Sequence, residues 1–412
     1  MLTSLSRKLV MRLVVVAPNV SENMSGEAIK VMMYLNHLAS TDLPIELITH
    51  ARSRNHLGPL SRKVKVHIIE DDALQVLAWR SVILRATVHA QFFLRVRSFV
   101  KRMTRDDPQT YFQYMVPVSP LQMRFPVKNS KSVLGPVTGN IFYPDAMANI
   151  EPQRYKVARI LRKSLHFFAS LFPEKQKFSY ILNSGGERTR ASLLAGGARN
   201  EQIEEVWDSA VTSRIMERSP VPIAGECFRF MCNGRFDPHK GIDLAIRAVA
   251  EADPRVTLDI YGKGAMEAEW RALVVRLGLT GRVAFKGWLD SHNDLIDAMA
   301  DYRGFVFPSL AEANGIVVQE ALALGLPIVC LNHGGPSVLT SDQSAIRIRP
   351  AAADIVVAKL AEAMDTLATN PQLAKGLAVA GMDDARKNFD WHHVARQWIG
   401  AMDNEAMMSR LQ

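Results

Sequence analysis

The chain has 412 residues, 48% hydrophobic and 22% charged, with a formal net charge of +9. This is a globular rather than a disordered composition, and the length allows two domains of roughly 200 residues each. Cys227, Cys232 and Cys330 lie in apolar runs without metal-ligand spacing, no Asp-x-Asp pair occurs, and His392-His393 has no partner cluster. Reduced core thiols, a cytoplasmic protein and no metal site are therefore expected. The charge is uneven: residues 1–218 carry +13 and the remainder −4, which turns the first half towards an anionic partner.

At the N-terminus, basic residues precede an apolar run that Arg12 interrupts, leaving only Leu13 to Ala17 unbroken. That is too short for a signal core or a membrane span, and it reads as a first strand. The loop from Pro18 to Glu27 opens a helix marked by Ile29, Met32, Met33, Leu35 and Leu38, without the G-x-G-x-x-G of a dinucleotide site.

Between Ala73 and Arg105 stand Arg80, Arg85, Arg95, Arg97, Lys101, Arg102 and Arg105, with Phe92, Val96, Phe99 and Met103 at helical spacing. This is a basic amphipathic helix, and core packing and membrane-surface binding require the same pattern. Arg154, Lys156, Arg159, Arg162 and Lys163 beside Ile160, Leu161, Leu165, Phe167 and Phe168 form a second such segment. Together they favour an anionic membrane surface over nucleic acid, for which no recognition module is present.

Tyr111 to Pro120, Ser132 to Val137 and Ser179 to Asn183 read as short buried strands, and Ser184 as a helix cap. Residues Asp208 to Glu226, with Pro220 and Pro222, read as a linker. Phe228 to Cys232 then leads into Asn233-Gly234-Arg235-Phe-Asp-Pro-His-Lys240-Gly241 and a helix, which places two cations at the end of a parallel strand. Leu258 to Tyr261 and Val283 to Phe285 are further strands, ending in Gly262-Lys-Gly264 and Lys286-Gly287-Trp288.

Phe305 to Leu331 is a strand–helix–strand unit: Phe305-Val-Phe307, a helix from about Gly315 to Leu324, Gly325 as its stop, then Ile328 to Leu331. Glu312 lies in the turn and Glu320 inside the helix, flanking a helix start whose amides at Gly315, Ile316 and Val317 suit a phosphate. Ala351 to Phe389 is helical, and Trp391 to Met408 is a last amphipathic helix.

The E-x7-E element Glu312 to Glu320, the following apolar strand with Gly334-Gly335-Pro336, and the G-R-x4-K-G loop Gly234 to Gly241 resemble the donor site of the retaining glycosyltransferases of family 4 (glycosyltransferase group 1). The resemblance implies a GT-B fold, an α/β architecture of two Rossmann-like domains whose parallel sheets face each other across a cleft. It divides the chain into an acceptor-side domain over 1–218, a nucleotide-sugar domain over 219–390, and a helix over 391–412 that crosses back to the first domain. It implies metal-independent transfer, with retention, of a hexosyl group from a nucleoside diphosphate sugar to a hydroxyl of a glycan or lipid-linked acceptor. The donor is then a substrate, no cofactor is required, and the protein works in polysaccharide or glycolipid assembly in the cytoplasm, peripheral at the inner face of the membrane.

Carried onto this chain, Arg235 and Lys240 hold the diphosphate, aided by Gly234 and the amides of Asn314, Gly315, Ile316 and Val317. Glu312 fixes the donor sugar and Glu320 the ribose, while Gly262, Lys286 and Gly287 line the nucleoside. Only Gly26 remains of a Gly-Gly pair, because Ser25 replaces its partner, and a Gly/Pro-rich loop from Gly135 to Asn140 stands where many members carry a histidine. A nucleotide-sugar epimerase of the same fold and a non-catalytic, membrane-apposed subunit of a polysaccharide assembly complex are the alternative readings.

Overall fold

The computed structural model of the chain describes residues 12–22, 26–80, 88–139, 141–171, 174–289, 291–402, 408, 409 and 411. Two compact units emerge: residues 1–140, 162–209 and 391–412 form one, and residues 141–161 and 210–390 form the other.

The first unit is built on β1 (Leu13–Val16), β2 (Ile45–His50), β3 (Lys65–Ile69), β4 (Tyr111–Tyr114), β5 (Lys131–Val137), β6 (Tyr180–Asn183) and β7 (Ile203–Glu205). These strands pair in parallel in the order β3-β2-β1-β4-β5-β6-β7. Every residue of β1 is fully buried, as expected of a central strand covered on both faces.

The second unit holds β8 (Arg229–Asn233), β9 (Thr257–Tyr261), β10 (Val283–Gly287), β11 (Gly304–Phe307), β12 (Ile328–Leu331) and β13 (Ala345–Ile348), all parallel in the order β10-β9-β8-β11-β12-β13. Both sheets therefore wind one way from their first strand and then the other, the doubly wound order of nucleotide-binding domains. The core of the second unit joins Phe230 and Cys232 of β8 to Ile242, Ala245 and Val249 of the next helix and to Leu360 and Met364 further on.

Several local expectations shift. β4 ends at Tyr114, with the chain continuing irregularly towards Pro120. Ser184 is not a cap: its hydroxyl donates to the Val137 carbonyl and to Asp208, and Gly185 is the N-cap of the helix Gly186–Ala195. The linker contains a short helix, Ser213–Met216, and a bridge from Val211 to Asp390. The helical stretch after Ala351 breaks at Asn370, whose side chain accepts from the Leu373 amide and caps a second helix. Trp398 of the last helix lies 4.7 Å from the Tyr34 ring and donates to the Trp207 carbonyl within the first unit.

The basic stretch after Ala73 forms two helices, Ala73–Arg80 and Val88–Asp106, with Arg85 outside the described residues. Phe92, Phe93, Val96, Val100 and Met103 of the longer helix are buried in the core of the first unit. Arg95 pairs with Asp72, and Arg97 donates to the carbonyls of Phe125 and Pro126. The second basic helix, Gln153–Leu171, instead leaves Val157, Ile160, Leu161, Phe167 and Leu171 exposed. The side chains of Arg162, Lys163, Leu165 and Phe168 lie outside the described set. Among the described residues no helix is long and apolar enough to cross a membrane.

Candidate functional site

In the second unit, β9 and β10 lie on one side of β8 and β11 lies on the other. Loops leaving the carboxyl ends of β8 and β11 therefore frame the place where open α/β sheets bind ligands. The loop after β8 turns through Pro238–Lys240 and stops at Gly241, where φ is +63° and a Cβ would stand 2.3 Å from the Pro308 carbonyl oxygen. Glycine is required there for both reasons. The His239 carbonyl accepts from the Leu310 amide at 2.7 Å and from Ser309 Oγ at 3.2 Å, which binds this loop to the one after β11.

The consequence is an ion pair between Lys240 Nζ and Glu312 Oε2, 72 positions apart in sequence, with both side chains more than four-fifths buried. The ammonium also lies 5.6 Å from the Phe307 ring centroid. The Gly335 amide donates to the Glu312 carbonyl at 2.8 Å, so the loop after β12 closes on the same segment.

The helix Ile316–Ala323 begins beside this pair. Its N-cap, Gly315, offers no side-chain cap, and the amides of Gly315, Ile316 and Val317 make no hydrogen bond to described residues. Unpartnered amides at a helix start carry partial positive charge and favour an anion. Asn314 lies in the same turn, with its carbonyl oxygen against Gly335.

The remaining expected residues fall into separate settings. Arg235 shares the loop with Lys240, but its side chain is 72% exposed and its Nε sits 3.6 Å from Asp237. Glu320 is buried, with Oε1 2.8 Å from His292 Nε2, and this bond raises the His292 pKa above its ordinary value. Gly234, Gly262 and Gly287 are stitched together: the Gly234 amide donates to the Tyr261 carbonyl and the Gly262 amide to the Gly287 carbonyl. At Gly262, φ +140°, a Cβ would stand 1.9 Å from the Gly234 oxygen, so the loops after β8 and β9 touch backbone to backbone. Lys286 turns to Asp259, 3.5 Å away. Gly26 is an exposed first residue of the helix Gly26–Leu38 in the first unit, and Ser25 lies outside the described residues, as does Asn140.

His292 and His239 were not singled out from sequence. His292 lies on a separate helix with no motif, 28 positions from Glu320. His239 stands inside the G-R-x4-K-G loop; burial, and then the neighbouring Lys240 charge, lower its pKa and keep the imidazole neutral.

At the strand ends of the first unit the polar groups pair with one another. Buried Lys30 meets Asp208 at 2.8 Å, and Asp208 also accepts from Ser184. The buried Arg124 guanidinium donates to the carbonyls of Pro117, Ser119 and Gln122.

The two parallel doubly wound sheets define the GT-B fold. The crystal structure of Anabaena Alr3699/HepE in complex with UDP matches with a TM-score of 0.68 over 95% of this chain and 100% of that one, at 16% identity. A glycosyltransferase from Rickettsia africae ESF-5 matches with a TM-score of 0.64 over 95% and 98%, at 13% identity. Residues 214–381, all within the second unit, match the family model of the glycosyl transferases group 1. In sequence, the lipopolysaccharide core biosynthesis glycosyltransferase LpsE of Rhizobium meliloti (strain 1021) is 30% identical over 164 residues, 39% of this chain and 46% of that protein. The glycogen synthase of Mycobacterium tuberculosis (strain H37Rv) is 32% identical over 218 residues, 49% and 51% of the two chains. The chain spans about half the length of the curated relatives it matches.

Proposed function

We propose that the protein is a glycosyltransferase that moves a hexosyl group from a nucleoside diphosphate sugar to an acceptor hydroxyl, with retention at the anomeric carbon and without a metal ion. The observation that carries this reading is the Lys240–Glu312 pair beside the open start of the helix Ile316–Ala323, at the switch point of a doubly wound sheet. The UDP in the Anabaena structure supports a nucleoside diphosphate as the leaving group.

In the proposed step the bond between the anomeric carbon and the diphosphate oxygen breaks, and a bond to the acceptor oxygen forms on the same face. The acceptor's proton passes to the departing diphosphate. Lys240 and the amides of Gly315, Ile316 and Val317 meet the charge that develops on the diphosphate, with Arg235 reaching in from the same loop. Glu312 accepts hydrogen bonds from the sugar while holding the Lys240 ammonium in place. Glu320 takes the ribose hydroxyls in exchange for, or together with, His292. Gly234, Gly262 and Gly287 shape the nucleoside side, and Lys286 borders it; Gly26 belongs to the acceptor side.

The acceptor is proposed to be a glycan or lipid-linked hydroxyl in polysaccharide or glycolipid assembly, presented at the inner face of a membrane. The exposed apolar side chains of the helix Gln153–Leu171 beside Arg154 and Lys156 support that setting. Flotation with vesicles of increasing anionic lipid content should show binding that weakens with salt; no binding at any composition removes the membrane from the proposal.

The enzymatic reading is tested by incubating the chain with a panel of nucleotide sugars and a membrane or oligosaccharide extract. Acceptor-dependent release of nucleoside diphosphate with a retained anomeric configuration by NMR is expected. Release that needs no acceptor and yields an epimerised sugar would establish the epimerase instead.

A further inference from the structure

We propose that Tyr155 is a positioning residue for the diphosphate-binding loop, acting through His239 on Lys240; this rests on the glycosyltransferase reading above. Residues 141–161 precede β6 in sequence yet belong to the second unit. Tyr143 and Met147 are buried in the same core as Phe230, Cys232 and Ile242, so the segment is seated on the elements that carry the site.

From that seat it reaches two of the site loops. The Tyr155 hydroxyl lies 3.1 Å from His239 Nδ1, and the Phe142 carbonyl oxygen lies 2.7 Å from His333 Nε2. The Tyr155 ring is itself held, with its centroid 5.7 Å from that of Tyr143 and the Arg154 guanidinium 5.0 Å from its own centroid. A hydroxyl on so constrained a ring is a fixed point.

His239 is the residue immediately before Lys240. Its carbonyl is already bound by Leu310 and Ser309. Those bonds hold the backbone of the turn Pro238–Lys240, and the bond through the imidazole adds a side-chain tie on the residue next to Lys240, which narrows the directions open to the Lys240 side chain. Electrostatic stabilisation of a leaving group depends on such prior orientation, since a donor that must reorganise during the reaction loses most of its value. A neutral imidazole suits this task because it adds no charge to compete with Lys240 for Glu312.

The experiment uses the full chain, with UDP, GDP and ADP as probes in calorimetric titrations and the best nucleotide sugar in kinetics. Tyr155→Phe removes the hydroxyl and keeps the ring. It should lower kcat about fivefold, the usual net worth of one hydrogen bond, with a smaller change in KM and a melting temperature within a few degrees of wild type. His239→Leu should show the same loss, the double variant should be no worse than either single one, and His239→Asn should recover part of the loss. Wild-type kcat in Tyr155→Phe, or effects of the two changes that multiply, would overturn the proposal. So would a loss that merely tracks the unfolded fraction and disappears on cooling. If the wild-type chain binds none of the three nucleotides, the glycosyltransferase reading falls and this inference with it; if it binds them and Tyr155→Phe is indistinguishable, only the inference falls.

Discussion

The two sheets share one winding order, yet their strand ends are finished in opposite ways. In the second unit the loops after β8, β9, β11 and β12 are fixed by backbone contacts, the Gly241 and Gly262 approaches among them, which leaves Lys240, Glu312 and three helix amides to meet a ligand. In the first unit the charged groups do the fixing, with Lys30 on Asp208 and Arg124 on three carbonyls. Backbone-built loops free their side chains for chemistry, whereas a side chain committed to holding the fold is costly to change.

That contrast makes the largest stability effect fall in the first unit. Lys30→Met leaves the Asp208 carboxylate buried without its cation and should cost about 3–5 kcal/mol in denaturant unfolding. A cost below about 1 kcal/mol would mean that the pair is not a structural fastener.

In the second unit Lys240→Ala should behave in the reverse manner. Turnover is expected to fall about 10²- to 10³-fold while the melting temperature falls less than in Lys30→Met, because the Glu312 side chain keeps 17% exposure and the turn is held by its backbone. A variant that keeps its activity but melts early would place Lys240 with the fasteners.

Stability should also respond to acid in the first unit. Burial, then the charges of Arg52 and Arg124, lower the His89 pKa to about 4, so the folded chain keeps this ring neutral while the unfolded chain protonates it near 6.5. The unfolded state binds more protons across that window, and stability should fall by up to about 3 kcal/mol as the pH drops from about 6.5 through 4. Unfolding curves of wild type and His89→Asn should diverge there; parallel curves would contradict it. His292 acts with the other sign: its raised pKa gives stability that is present below the ordinary histidine value and lost as the pH rises through the folded one.

The smallest effect should come from the partly exposed Arg95–Asp72 pair, where Arg95→Ala is expected to cost about 0.5 kcal/mol and less at high salt.

The same contrast explains what could be read from the sequence. Lys240 and Glu312 were each legible as site residues because they lie in short loops ending in Gly241 and Gly315, and parallel strands bring their carboxyl ends to one edge whatever the sequence distance between them; that the two would pair was not. Lys30 and Asp208, 178 positions apart, carry no local pattern that announces the pair. The helix Val88–Asp106 shows the limit of periodicity: its spacing gave an amphipathic helix, and only tertiary packing shows Phe92, Phe93 and Val96 turned into the core. Glu320 was legible as a position, but its His292 partner was not, since that bond joins two helices with no shared motif. The ties from Tyr155 and Phe142 were hidden for the same reason, because they depend on residues 141–161 folding with the second half of the chain.

The central claim is that the loops after β8 and β11 grip a nucleoside diphosphate. A crystal structure of the chain soaked with UDP, or with GDP should UDP not bind, measures this directly. Diphosphate oxygens within hydrogen-bonding distance of Lys240 Nζ and of the Ile316 and Val317 amides are expected. A well-ordered diphosphate bound elsewhere, with the Lys240–Glu312 pair untouched, would contradict it.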